Sequence, residues 1–243
     1  SQQLEYIENL YNHESKQSLL TLIGKMLAKF PNSSVLYNII GIINADLEQY
    51  QDAVENYQSA INIKPDYADA YNNMANALKN LNKLTDAILA YEKALNIKPD
   101  CAEIYYNMGG ALKELGKLEE AINAFDSATS LKPNYIEAYN NKANALREQG
   151  RLDAALEIYG KLLHLKPDFA EGYNNLGTTL KEQGKLEEAL EAYNTALSLK
   201  PDYADVLVNI ANIFELQSRL NEAIEFYNKA LLIKPNNAIV YRN

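Results

Sequence analysis

Residues 68–101 read ADAYNNMANALKNLNKLTDAILAYEKALNIKPDC, and this stretch recurs along the chain with a period of 34. Within it Tyr71, Met74, Ala75 and Leu78 follow the i, i+3, i+4, i+7 spacing of one apolar helix stripe. Leu84, Ala87, Ile88, Tyr91, Ala94 and Leu95 lay out a second stripe of the same kind. Asn82 lies between them, and its counterparts are Gly116, Gly150 and Gly184, residues that tolerate the left-handed conformation ending a helix. The unit is therefore expected to be two antiparallel helices joined by a tight turn. All seven prolines (Pro31, Pro65, Pro99, Pro133, Pro167, Pro201 and Pro235) hold the same 34-residue spacing. A fixed period of this length marks a stacked array in which each unit buries its apolar face against its neighbours.

Small residues set the approach of the helices. Ala53, Ala87, Ala121, Ala155, Ala189 and Ala223 occupy one second-helix position in six successive units. Each unit closes with Lys-Pro followed by Asp66, Asp100, Asn134, Asp168, Asp202 or Asn236. Proline ends the second helix, and the Asp or Asn is expected to cap the next first helix. Asp69, Glu103, Glu137, Glu171 and Asp205, three residues on, suggest a capping box. Lys64, Lys98, Lys132, Lys166, Lys200 and Lys234 suit the negative end of the second-helix dipole.

The run Ala70 to Leu78 (AYNNMANAL), with Ala87, Tyr91, Ala94 and Pro99, resembles the tetratricopeptide repeat. Six units are delimited by it: 34–67, 68–101, 102–135, 136–169, 170–203 and 204–237. The resemblance implies an all-α fold, a right-handed superhelix (an α-solenoid) of antiparallel helix pairs whose first helices line a concave groove. A position that often holds Trp in the family holds Tyr37, Tyr71, Tyr105, Tyr139, Tyr173 and Leu207 here. Residues 1–33 keep the phase but carry Leu19 where alanine is expected, which predicts a divergent N-terminal capping helical pair. Residues 238–243 read as the start of a truncated further helix. The chain is then an excerpt from a longer protein, or its apolar C-terminal end meets a partner or another copy, with self-association as the consequence.

Composition narrows the function. A net charge of -9 opposes nucleic acid, whose phosphates call for clustered Lys and Arg. No apolar run approaches a membrane span, so membrane insertion is not expected. Cys101 is the single cysteine; it takes a position held elsewhere by Tyr67, Tyr135, Phe169 and Tyr203, reads as a small hydrophobe, and fits a cytoplasmic address. His13 and His164 fall in different units, Gly109-Gly110 lies mid-helix, and no phosphate loop or nucleophile elbow is present. The chain is not expected to be an enzyme or to hold a metal or cofactor.

What remains is a binding face. Asn73, Asn107, Asn141, Asn175 and Asn209 stand in register on the first helices, mid-helix, where capping does not explain them. An asparagine amide both donates and accepts, so a row of them can pair with the N–H and C=O of a peptide of any sequence. Asn76, Asn144 and Asn212 add a second register. The pattern is similar to the repeat domain of O-linked N-acetylglucosamine transferase, and that likeness implies an asparagine ladder holding an extended polypeptide. An equally simple reading gives the asparagines to stacking between repeats. Five neutral hydrogen bonds at roughly 0.5–1.5 kcal/mol each barely offset backbone ordering at about 1–2 kcal/mol per residue. Side chains must supply the rest. Lys79, Lys113, Arg147 and Lys181 form a cationic row beside Glu114, Glu148 and Glu182, and Tyr106 replaces a groove asparagine. The expected role is a protein–protein interaction scaffold that binds a polypeptide or protein partner. The alternatives are a substrate-docking arm of a larger glycosyltransferase or sulfotransferase-type enzyme, and a structural or self-assembling spacer.

Overall fold

The structure, a computed structural model, describes residues 16–235, and among these it contains thirteen α-helices and no strand. The chain divides into two compact units, residues 1–131 and 132–243. The first holds the helix Lys16–Lys29 and three helix pairs: Ser34–Asp46 with Tyr50–Ile63, Ala68–Asn80 with Leu84–Ile97, and Ala102–Glu114 with Leu118–Leu131. The second holds three more: Ile136–Glu148 with Leu152–Leu165, Ala170–Glu182 with Leu186–Leu199, and Ala204–Leu216 with Leu220–Ile233. Each unit is an all-α solenoid segment of antiparallel pairs. Lys16–Lys29 keeps the phase of the second helices and buries Leu19 and Ile23 against Leu36 and Ile43. The rest of the expected capping pair, and the helix start at 238–243, lie outside the described residues.

The turn inside each pair is where the sequence placed it. Asn82, Gly116, Gly150 and Gly184 all have φ between 57° and 82°, and Glu48 and Ser218 adopt the same left-handed conformation at their register positions. The chain reverses there because the next amide reaches back five residues to close the helix end, as in Lys83 N–H to the Leu78 carbonyl at 2.9 Å and Lys185 N–H to that of Leu180 at 2.9 Å.

The alanines Ala53, Ala87, Ala121, Ala155, Ala189 and Ala223 are all buried, as the close approach of the helices requires. Opposite them an aromatic ring from the second helix lies against the first. A Cβ added to Gly41 would fall 2.5 Å from the Tyr57 ring, one on Gly109 2.7 Å from Phe125, and one on Gly177 2.7 Å from Tyr193. In the intervening pairs the same position holds Ala75, Ala143 and Ala211. The next residue changes in step: Ile42, Gly110 and Thr178 follow the glycines, whereas Asn76, Asn144 and Asn212 follow the alanines. Where alanine holds the ring off, the tyrosine hydroxyl meets that asparagine, Tyr159 to Asn144 at 2.7 Å and Tyr227 to Asn212 at 2.6 Å. Two kinds of helix pair therefore alternate.

At Asp66, Asp100, Asn134, Asp168 and Asp202 the expected caps do not form, and Asn236 lies outside the described residues. The residue before each first helix is Tyr67, Cys101, Tyr135, Phe169 or Tyr203, with no side-chain cap bond; only Ser33 caps, accepting from the Leu36 N–H. Those Asp and Asn residues sit one place too early, inside a Lys-Pro-Asp/Asn turn followed by an aromatic or by Cys101, so the capping box also fails and the acids fall at the second helical position. The same start at Cys101, which has no ring, assigns the shift to the turn itself, and in the other four units a ring adds to it. Lys64, Lys132, Lys166 and Lys200 lie 4.4–5.3 Å from the ring centroids of Tyr67, Tyr135, Phe169 and Tyr203. Burying part of a ring beneath a lysine is worth at least as much as the ~1 kcal/mol of a side-chain cap. The acids Asp69, Glu103, Glu137, Glu171 and Asp205 remain in the first turn and complement the helix dipole.

Two stability outcomes follow from this packing. Ala121→Phe is expected to lower the thermal midpoint by the equivalent of about 1–3 kcal/mol of overpacking. Gly177→Ala is expected to cost about 1–2 kcal/mol because its Cβ meets the Tyr193 ring. Adding Thr178→Asn should restore at least half of that by giving the displaced hydroxyl an acceptor, and a double-mutant cycle from urea melts reads the coupling.

Candidate functional site

The first helices carry the sequence-predicted site, and their asparagines are half-buried or buried. Their first engagement is with one another. In the first unit Asn73 Nδ2 donates to Asn38 Oδ1 at 3.2 Å and Asn107 Nδ2 to Asn72 Oδ1 at 3.4 Å. In the second, Asn175 Nδ2 donates to Asn140 Oδ1 at 3.0 Å and Asn209 Nδ2 to Asn174 Oδ1 at 2.9 Å. Each of these bonds spans 35 residues, from the sixth helical position of one pair to the fifth of the pair before it. Asn141 stands at the same register on Ile136–Glu148.

In the second unit these bonds join into one directed chain. Asn209 donates to Asn174, Asn174 Nδ2 to Asn175 Oδ1 at 3.4 Å, Asn175 to Asn140, and Asn140 Nδ2 to Glu171 Oε1 at 3.2 Å. An ionised carboxylate only accepts, so Glu171 fixes which way Asn140 faces, and each amide behind it follows. Hydrogen bonds aligned in this way polarise one another and strengthen the whole. Of the two amide protons on each of Asn73, Asn107, Asn175 and Asn209, one goes to the neighbouring repeat.

The second register is tied within each pair. Asn76 Oδ1 accepts from the Tyr91 hydroxyl at 2.5 Å and Asn144 Oδ1 from Tyr159 at 2.7 Å, while Asn212 Oδ1 accepts from Tyr227. In the glycine-type pairs Thr178 meets Tyr193 at 3.2 Å, and the pair that carries Gly110 closes on Phe125, which has no hydroxyl to satisfy. Burial pushes the phenols of Tyr91 and Tyr159 well above their ordinary value and that of Tyr193 up to about 12, so each keeps a proton that needs an acceptor.

The charged row is also engaged internally. Lys79 Nζ lies 3.9 Å from Glu114 Oε1, and Arg147 Nη1 lies 2.6 Å from Glu182 Oε1, each pair bridging adjacent repeats. Lys113 and Lys181 share that row; for Lys181 the register residue is Leu216, 68 % exposed, so the pattern of carboxylates stops there. Tyr106 lies on Phe125, ring centroids 6.1 Å apart, and Cys101 is half-buried beside the core of its unit. Sequence reasoning missed one concavity. A cavity of about 400 Å³ in the first unit is floored by Ile88, Met108 and Leu112 and rimmed by Glu92, Lys117 and Glu120, and no ladder asparagine lines it. Among the described residues no cluster of three or more His, Cys, Asp or Glu could hold a metal, and no helix is long and apolar enough to cross a membrane.

Comparison with known proteins addresses the repeats. A family profile described as TPR repeat matches residues 43–82, 76–116, 109–147, 143–184 and 177–218, and one described as tetratricopeptide repeat matches 204–237. Among solved structures, the C-terminal part of a TPR repeat-containing protein of Cytophaga hutchinsonii aligns at a TM-score of 0.79 and 17 % identity over 98 % of this chain and 98 % of that part. YrrB, described as a TPR protein with an unusual peptide-binding site, aligns at 0.65 and 23 % identity over 76 % of this chain and 95 % of its own. MamA aligns at 0.65 and 24 % identity over 71 % and 94 %. These likenesses establish the fold. The search of curated proteins found no match.

The directed chain has a measurable signature. Asn140→Ala is expected to cost about 1–3 kcal/mol, since it strands the proton of Asn175 and an acceptor of Glu171; Asn175→Ala is expected to cost about 1 kcal/mol. The double variant should cost less than the two together by at least 0.5 kcal/mol, read from chemical denaturation.

Proposed function

The chain belongs to the tetratricopeptide repeat family, and we propose that it is a protein–protein interaction scaffold that holds an extended polypeptide along the face formed by its first helices. One observation carries the reading: part-buried asparagines recur on that face in both units, and Asn73, Asn107, Asn175 and Asn209 are oriented by bonds that use one of their two amide protons. Amides held in this way suit the backbone of an extended chain, whose donors and acceptors are the same at every residue. Orienting them in advance lowers the entropic cost of binding, which an unrestrained ladder would not overcome. The neighbouring charges suit a polar ligand: Lys79 and Arg147 are already partly neutralised by Glu114 and Glu182, which favours selection by side chains over bulk attraction. The likeness of fold to YrrB supports the same direction.

The test compares the wild-type chain with a variant in which Asn73, Asn107, Asn141, Asn175 and Asn209 are all alanine. Both are used as bait in source lysate at a temperature where circular dichroism reports both as folded. Partners retained by the wild type and lost by the variant are the expected result. Partners kept equally by both would assign the ladder wholly to stacking and remove the groove reading.

A further inference from the structure

The alternation of helix pairs separates two kinds of asparagine by what they can offer a ligand. In the second unit the Tyr159 hydroxyl donates to Asn144 Oδ1 at 2.7 Å. A phenol has one proton to give, and an amide oxygen can only accept it. The carbonyl branch of Asn144 is thereby committed inward, and its planar amide leaves the NH2 branch as the outward group of a half-buried side chain. The burial of Tyr159 keeps its proton in place throughout the ordinary pH range.

We propose that Asn144 is a hydrogen-bond donor to a backbone carbonyl of the bound polypeptide, locked in that sense by Tyr159. This rests on the groove reading above and assigns it a direction: position 144 reads carbonyl oxygens and never N–H groups. Asn76, whose oxygen accepts from Tyr91 at 2.5 Å, is the counterpart in the first unit. The glycine-type pairs, with Gly110 and Thr178 at that position, offer no amide there. Fixed donors of this kind therefore recur at every second helix pair, 68 residues apart.

A phage-displayed library of random twelve-residue peptides, selected on the full wild-type chain, supplies the probe; the tightest binder is synthesised and its Kd measured by fluorescence anisotropy. Asn144→Asp keeps an acceptor for Tyr159 but has no amide protons, so Kd should rise at least tenfold with little change in thermal midpoint. Asn144→Leu, neutral and of similar size, should weaken binding comparably, while Tyr159→Phe, which frees the amide to turn over, should raise Kd only two- to threefold. Weakening by Asp but not by Leu would mean charge repulsion alone and would overturn the donor assignment. Peptides that ignore all three variants yet lose affinity for the five-alanine ladder variant would also overturn it while leaving the groove reading intact. A library that yields no binder for the wild-type chain would overturn both.

Discussion

Each helix pair closes on an aromatic ring pressed against a residue with almost no side chain. Tyr57 on Gly41, Phe125 on Gly109 and Tyr193 on Gly177 leave no room for a methyl group, and Tyr91 shares a buried cluster with Ala75 and Ala87. A pair of thirteen- and fourteen-residue helices is too short to hold together by helix propensity alone. Burial of one ring at roughly 25 cal/mol per Å² is the largest local gain available to it. The remaining features are arranged around that contact: the left-handed turn that brings the helices antiparallel, the invariant alanine that lets them approach, and the lysine-covered aromatic that starts the next pair.

Much of this was legible in the residues because it depends on neighbours within one period. The helix stripes, the turn at Asn82 and its glycine counterparts, and the breaks before each proline all follow from local rules. The caps were misread for a reason that is also local. Asp66 and Asn134 fit a capping rule in isolation, but the proline before them draws the same residues into a turn, and the helix begins one place later. The ladder was legible as a row and not as a set of bonds. Its partners are 35 residues apart and belong to two different positions of the repeat, so Asn175 and Asn140 do not stand in the same column of any alignment of the units. The alternation of pairs was hidden in the same way. Asn144 beside Ala143, and Thr178 beside Gly177, acquire meaning only once the ring of Tyr159 or Tyr193 is known to lie over them.

The charges show how a net negative chain avoids an unbalanced field along one face. Lys79 and Arg147 meet glutamates of the next repeat, and the first-turn acids face helix dipoles. Exposed pairs of this kind add at most about 1 kcal/mol each, so they set register and selectivity more than stability. Arg147 differs from Lys79 in having a planar fork of donors, and it meets its carboxylate at 2.6 Å where the lysine stands at 3.9 Å.

The 35-residue reach of the ladder bonds bears on how the chain is made. In the arrangement described, an asparagine at the fifth helical position waits for a partner that lies one repeat further toward the C-terminus. On a ribosome, a pair that has just emerged can bury its ring at once, but its amides stay hydrated until the next first helix has been synthesised. Each repeat thus matures in two steps, a dry contact made alone and a polar one made with its successor. Structure accrues in the direction of translation, and no segment has to wait for the far end of the chain.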